Sequence, residues 1–573
     1  MYTGERPEVL ERAATRRRFL RGAALIGAGA LGAACSSDDG GDGASAESVA
    51  ATTLPPVPEL EGDPFALGVA SGDPNDTSVV LWTRVVIDPA RTDGGVGEAP
   101  VPVAWELAGD ETFDRVVASG TEVARGESAH SVHAIADGLE PDGTYWYRFS
   151  IGETTSPVGR TRTMPSAGKQ PASGQFRFAL ATCQDFQGGR YAAWRDAAEL
   201  DDLDAVVFLG DYIYELENLF TGPDGDTSRQ YTSPVPKDLK GFRARYGQVK
   251  GDEQLQAAHA AAPFFATWDD HEVLNNYNVA VDPELRAAAY QAWWEHQPVR
   301  LPPPENGELA VYRTLDVGGL IQLFILDTRQ YSDEPPCPGD DGLGTVADCA
   351  QRADDQRTML GEDQRAWLLD GLAASETTWT ALANPVLFAG LVAGETDEGT
   401  PQFYMDTWDG FPAARERFLD TLARMRASNV AVLTGDIHTS WAMDLPRDPF
   451  TPSAYNPATG EGSLAVELIV PGVTSPGHPP EVEAEIPGIL RDNPHMRYGN
   501  ASQRGYILLD CTANRLQAEW FHLPHGSVER RERRPAALST GWLTRSGSSH
   551  LTRAGTPSAP REGAPAAAPW EPA

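Results

Sequence analysis

Asp211 and Tyr214 stand three residues apart at the end of an apolar run, in Phe208-Leu209-Gly210-Asp211-Tyr212-Ile213-Tyr214-Glu215. Ala205 to Leu209 reads as a buried strand that Gly210-Asp211 breaks. A carboxylate there lies where open α/β sheets bind ligands, and one turn could aim both side chains at a single ion. Alone, the pattern also fits a helix start capped by Asp211. Four other stretches repeat it. Phe176 to Thr182 ends at Cys183-Gln184-Asp185, and Phe264 to Trp268 at Asp269-Asp270-His271-Glu272. Leu320 to Leu326 ends at Asp327-Thr328-Arg329, and Val430 to Gly435 at Asp436-Ile437-His438. Buried carboxylates need partners. Carboxylates and a His meeting at one sheet edge suit divalent or trivalent cations, and an added thiolate and phenolate favour iron(III) beside a hard ion such as calcium.

The elements that must position these groups follow from the spacing. Longer helix-like segments separate the strands, notably Pro283 to His296 and Ala413 to Ser428. In the second, Ala414, Phe418, Leu422 and Met425 recur at helical spacing and read as core. Residues 173–534 are therefore expected to form an α/β domain, entered through a Pro/Ser/Gly linker from Pro165 to Gly174. Ahead of it, residues 61–165 carry short strands such as Val79 to Val85, Val101 to Leu107 and Thr144 to Phe149, which predict an all-β sandwich. His130 and His133 resemble a ligand pair. In the strand-like run Ala129 to Ala134 their odd spacing sends them to opposite faces, so they read as ordinary strand residues.

The chain's 573 residues can hold two or more domains. A formal net charge of −36 speaks against a nucleic-acid-binding surface, which needs a basic footprint. Residues 1–35 read as an address: Thr15-Arg16-Arg17-Arg18-Phe19-Leu20-Arg21 resembles the twin-arginine export motif, and the apolar run from Gly22 to Ala34 is too short to span a bilayer. Cys35 ends Leu31-Gly32-Ala33-Ala34-Cys35, which resembles a lipoprotein cleavage box with Gly32 where Leu is usual, so lipidation and ordinary cleavage both stay open. A lipid there would tether the exported protein to a membrane. Residues 36–60 read as a flexible tether and 535–573 as a mostly disordered tail. Of five cysteines, Cys337 and Cys349 flank a Pro/Gly/Asp-rich loop and could form a local disulfide outside the cell, whereas Cys511 reads as a core thiol.

The rhythm Gly210-Asp211-x-x-Tyr214, Asp270-His271-Glu272 and Gly435-Asp436-x-His438 resembles the calcineurin-like metallophosphoesterases. Cys183 stands where their first Asp would be, Asp270 where their Asn would be, and Asp436 in place of the first His of the last pair. These departures are the pattern of the PhoD-type alkaline phosphatases. Phe65 to Pro74, Trp268 to Glu272 with Asn275-Asn276, Trp408-Asp409-Gly410 and Arg504-Gly505-Tyr506 match as well, so the resemblance covers about residues 61 to 525. It implies two mixed β-sheets flanked by helices, preceded by a small immunoglobulin- or fibronectin-like domain.

The resemblance also implies iron(III) on Cys183, Asp211, Tyr214 and His438, with Asp211 bridging to calcium on Asp270, Asp436 and Asn275 or Asn276. His271 would touch the phosphoryl oxygen or protonate the leaving group, and His495 resembles a position near the pocket. Arg329 could clamp phosphate through its planar fork, though an Arg after a strand equally serves as an ion-pair partner. The implied activity is an exported phosphoesterase that hydrolyses phosphate mono- and diesters by attack of a metal-bound hydroxide or oxo nucleophile. Alternatives are a specialised diesterase acting on lipids or teichoic-acid-like polymers, or a non-catalytic metal-stabilised surface protein.

Overall fold

Period-two alternation of apolar residues builds the centre of the molecule. In the strand Gln175–Ala181, Phe176, Phe178 and Leu180 face one core while Ala179 and Ala181 face another. In Ala205–Phe208, Ala205 and Val207 share the first core and Val206 and Phe208 the second. Such strands are buried on both faces.

The computed structural model describes residues 54–216 without 90 and 92, 229–337, 345–396, 398–425 and 429–523, and the backbone of 541–544. The export leader, Cys35 and most of the tether lie outside the described residues, as does most of the tail. No helix among the described residues is long and apolar enough to cross a membrane.

Two mixed sheets face each other. The nine-stranded sheet runs in the order 541–544, 515–523, 504–512, 175–181, 205–208, 264–266, 69–72, 79–84, 131–136. The seven-stranded sheet runs 313–317, 321–325, 379–384, 430–434, 463–469, 440–446, 496–500. In each, parallel strands occupy the centre: 175–181 with 205–208 with 264–266, and 321–325 with 379–384 with 430–434 with 463–469. Between the sheets lies a core that includes Phe178, Val207, Leu323, Ala381, Leu433 and Leu509. Helices cover the outer faces: Leu239–Lys250, Glu253–Ala261 and Pro283–His296 on the nine-stranded sheet, Gly361–Ala374 and Pro412–Met425 on the other. Pro283–His296 matches its predicted span. Asp282 caps it by accepting from the Glu284 and Leu285 amides, with Pro283 in the first turn.

The N-terminal β region is less separate than its sequence suggests. Its strands Val101–Ala108, Val116–Ala124, Thr144–Ile151, Thr154–Thr155 and Gly159–Arg162 form their own sheet. The opposing layer of the sandwich, 69–72, 79–84 and 131–136, is the margin of the nine-stranded sheet, with Gly72 paired to Phe264 in parallel. Trp82, Val103, Tyr147 and their neighbours are buried between or behind these layers.

Two expectations need correction. Part of the presumed disordered tail, Gly541–Thr544, is an edge strand paired with Arg515–Leu523; this short run was masked by the Ser, Ala and Pro around it. His130 is not in the strand, which begins at Ser131; it adopts φ 56° and bonds the Ala99 carbonyl. His133 is in the strand, stacks on Trp294 and bonds the Gln297 carbonyl. Among the described residues neither histidine belongs to a cluster of possible metal ligands.

Asp73 fastens the two parts. It is buried, accepts from the Arg300 amide at 3.0 Å, and pairs with Arg313 at 2.8 Å at the start of the seven-stranded sheet. Asp73→Ala leaves the Arg313 charge without its anion, so unfolding stability should fall by about 3 kcal/mol. Denaturant titration with an unchanged slope would register this as a lower midpoint.

Candidate metal centre and active site

The strand register assembles the site. Phe208 pairs with Ala181 on one side and Ala266 on the other, so the chains emerging from three parallel strands leave side by side. Close approach demands glycine at two points. A Cβ on Gly210 would lie 2.3 Å from the Asp269 nitrogen, and one on Gly435 would lie 2.6 Å from Thr182 Oγ1. The second contact crosses from one sheet to the other and brings Asp436 and His438 to Cys183. The predicted single sheet edge is thus the shared end of two facing sheets.

At these strand ends the backbone turns sharply. Cys183, Asp211, Asp436 and His438 adopt φ of 54°, 59°, 66° and 56°. For residues other than glycine this left-handed conformation costs on the order of 1–3 kcal/mol each, and the surrounding bonds hold it. Glu272 is buried and accepts from the amides of Asp211 (3.1 Å), Tyr212 (2.6 Å) and Asp269 (3.0 Å), clamping the two acidic turns together.

Two donor sets share Asp211. Ligand atoms of Cys183, Asp211 and His438 lie within 4.8 Å of one another, as do those of Asp211, Asp270 and His271. Tyr214 joins the first set: its hydroxyl donates to Asp211 Oδ2 at 2.9 Å, lies 3.2 Å from His438 Nε2, and accepts from Ser475 Oγ at 2.7 Å. His438 Nδ1 is turned to the Pro476 carbonyl, which leaves Nε2 aimed inward.

The second set is acidic. Arg329 lies among four carboxylates, 2.5 Å from Asp269, 2.6 Å from Asp406, 3.9 Å from Asp270 and 4.0 Å from Asp436. It is 2 % exposed. Its guanidinium therefore neutralises the acidic cluster, which is the ion-pair role the sequence allowed beside a phosphate clamp. Asn276 contributes the amide next to Asp270: with its nitrogen turned toward the carboxylates it donates to Asp270 Oδ2 at 3.1 Å and to Asp406 Oδ2 at 3.3 Å. Asn275 and Asn276 are both exposed residues, and the Asn275 backbone N–H donates to Glu215. Asp327 accepts the Arg329 and Gln330 amides and acts as a local cap. His495 is buried and bonds the Gly390 carbonyl at 3.0 Å, packed with Phe450.

Electrostatics show what the site needs. Burial, reinforced by acidic neighbours, pushes Asp211 and Asp436 well above the usual carboxylate range, and burial lifts Asp269 to about 7. Burial and then the Asp211 charge raise the Cys183 thiol and the Tyr214 phenol. Burial would lower His271, but Asp270, Asp211 and Glu215 together carry it well above its usual value. Asp270 Oδ1 is buried with no hydrogen-bond partner among the described residues. This much buried acid is stable only beside added positive charge. The residues present fit cations of two kinds: sulfur, phenol, imidazole and carboxylate at one end, oxygen donors at the other.

Residues absent from the sequence-based set complete the picture. Glu215 holds His271, Oε2 lying 2.8 Å from Nδ1 while Oε1 accepts from the Asn275 amide. It lies in the same stretch as Asp211, beside Tyr214, so its signal was present. Asp406 follows no apolar strand, and only the neighbouring Trp408-Asp409-Gly410 hinted at it. Cys337 and Cys349 are joined in a disulfide; Cys183 and Cys511 are buried free thiols.

Comparison with known proteins agrees with this geometry. The pattern of the PhoD-like phosphatases matches residues 178–520, and that of the PhoD-like phosphatase N-terminal domain matches residues 49–165. Alkaline phosphatase D of Bacillus subtilis (strain 168) is 39% identical over 521 residues, covering 89% of this chain and 84% of the relative. The solved structure of PhoD superposes with a TM-score of 0.78 at 36% identity, covering 88% of this chain and 94% of the other. The chain belongs to the PhoD-like phosphatase family and is a metal-dependent phosphoesterase.

Proposed function

We propose that this phosphoesterase is exported, holds iron(III) on Cys183, Asp211, Tyr214 and His438 and calcium on Asp211, Asp270, Asp406 and Asp436, and hydrolyses phosphate mono- and diesters. The observation that carries this reading is the sharing of Asp211 between two donor sets of unlike chemistry. When bound, such cations neutralise the phosphoryl oxygens and activate water for attack on phosphorus. The protein supplies position and protons. Asp211, fixed by its turn and by the Tyr214 hydroxyl, keeps the two donor sets at one spacing. Glu215 engages His271 Nδ1, which leaves Nε2 to hold a proton at the phosphoryl or leaving oxygen. Arg329 balances the carboxylates that remain.

Export through the twin-arginine machinery is supported by Arg16-Arg17 before the apolar run of residues 22–34. The Cys337–Cys349 disulfide also suits an oxidising compartment outside the cytoplasm. Whether the mature chain is tethered through a lipid on Cys35 or released is a separate step of the same route. Replacing Arg16 and Arg17 by Lys should retain the precursor in the cytoplasm; normal export of that variant, seen on fractionation, counts against the route.

The central test pairs metal content with turnover of a matched phosphate monoester and diester. Asp211→Asn should lose both metals and reduce turnover by about a thousandfold or more. Cys183→Ser should lower iron content far more than calcium. Unchanged iron in the serine variant would remove Cys183 from the centre and leave it a buried core thiol.

Glu215→Gln tests the hold on His271. We expect kcat to fall by about 10- to 100-fold with both metals retained, while a fall that tracks metal loss would make Glu215 a support of the metal centre alone.

A further inference from the structure

We propose that the groove between the helices Gly361–Ala374 and Pro412–Met425 binds a single anionic amphiphile: a medium-length aliphatic chain with a carboxylate- or sulfate-like head. The groove lies on the outer, helical face of the seven-stranded sheet, and none of the metal-ligating residues lines it. Its cavity measures about 170 Å³. At the roughly 30 Å³ that a water-sized group takes up, this holds about six carbon-sized groups.

Its floor is apolar. Met359, Leu368, Trp408 and Phe418 line the bottom, and a smaller void continues inward past Leu368, Trp408 and Phe418 toward Asn384. Nothing polar on this floor would reward a hydrated ligand, whereas an alkyl chain gains by leaving water.

The rim is basic. Arg417, Thr421 and Arg424 follow each other at helical spacing above Ala414 and Phe418, and Arg365 faces them from the other helix. The acids near them are already engaged: Asp420 pairs with Arg447 at 2.6 Å, and Glu362 pairs with Arg365 at 2.6 Å. Arg417 donates to the Asp355 carbonyl and feels the Glu362 charge without a direct ion pair, and Arg424 donates to the Thr421 hydroxyl. On a chain of formal charge −36, three guanidiniums at the rim outnumber the two acids beside them, and above an apolar slot they select an anionic head joined to an alkyl chain.

The test is calorimetric titration of the metal-loaded mature protein with octanoate and octyl sulfate, neither of which is a phosphate ester. Octyl glucoside supplies the chain without the charge, and inorganic sulfate the charge without the chain. One octanoate per chain should bind at least about tenfold tighter than either control, a difference of about 1.4 kcal/mol. The double variant Arg417→Gln/Arg424→Gln should weaken octanoate by a similar factor and leave ester hydrolysis unchanged. Equal affinity in that variant, or octanoate no tighter than octyl glucoside, overturns the proposal. So does co-sedimentation with anionic phospholipid vesicles without octanoate binding, which would assign the basic rim to a membrane surface. None of these outcomes depends on the identity of the catalytic metals, so this groove and the metal assignment stand or fall separately.

Discussion

Buried negative charge at the seam between two sheets governs this molecule. Asp269, Asp270, Asp406 and Asp436 crowd around one guanidinium, with Asp211, a thiol and a phenol close by. Nothing in the hydrophobic core would select such an arrangement, because burial penalises the charge on each of these carboxylates. Cations resolve the conflict, and the donor chemistry divides them. The conflict is therefore the functional feature, and the rest of the fold is arranged to keep it from relaxing.

Relaxation is prevented in two ways. The turns that carry the ligands are held in a left-handed backbone conformation, and Glu272 ties two of them together through three amides. Gly210 lets the Asp269 backbone, and Gly435 the Thr182 side chain, approach to distances a Cβ would not permit. Large aromatic residues then lock the outer layer: Trp268 stacks on Tyr290 beneath the acidic turn, and Tyr212 packs edge-on against Phe208. Pre-organisation of this kind places the cost of assembling charge in the folding step, so that it is already met when substrate arrives.

The parts of the site legible in the sequence were those that follow directly on an apolar strand. Cys183, Asp211, Asp270, Asp436 and His438 all stand just past such runs, where periodicity ends abruptly and a polar residue is conspicuous. Asp406 was not legible, because it is carried on a loop after the short strand Pro401–Tyr404 and reaches the cluster through tertiary packing alone. Arg329 was found, but its role depended on neighbours that the sequence does not show. The α/β character followed from strands alternating with helices, and the two-sheet architecture from the family resemblance. The fusion of the sandwich to the central sheet did not, because strand pairing between Gly72 and Phe264, nearly two hundred positions apart, leaves no local trace.

That fusion has a consequence for how the protein can vary. A domain joined by a linker can be exchanged or lost with little effect on its neighbour. Here the strand Val69–Gly72 closes the flank of Phe264–Ala266, the strand that leads into the acidic turn at Asp269 and Asp270. Removing the first hundred described residues would bare a hydrogen-bonding edge next to the catalytic residues and invite pairing with other chains. The β region therefore has to be inherited as part of the catalytic sheet, and recombination between relatives would succeed only where the crossover keeps that strand pair together.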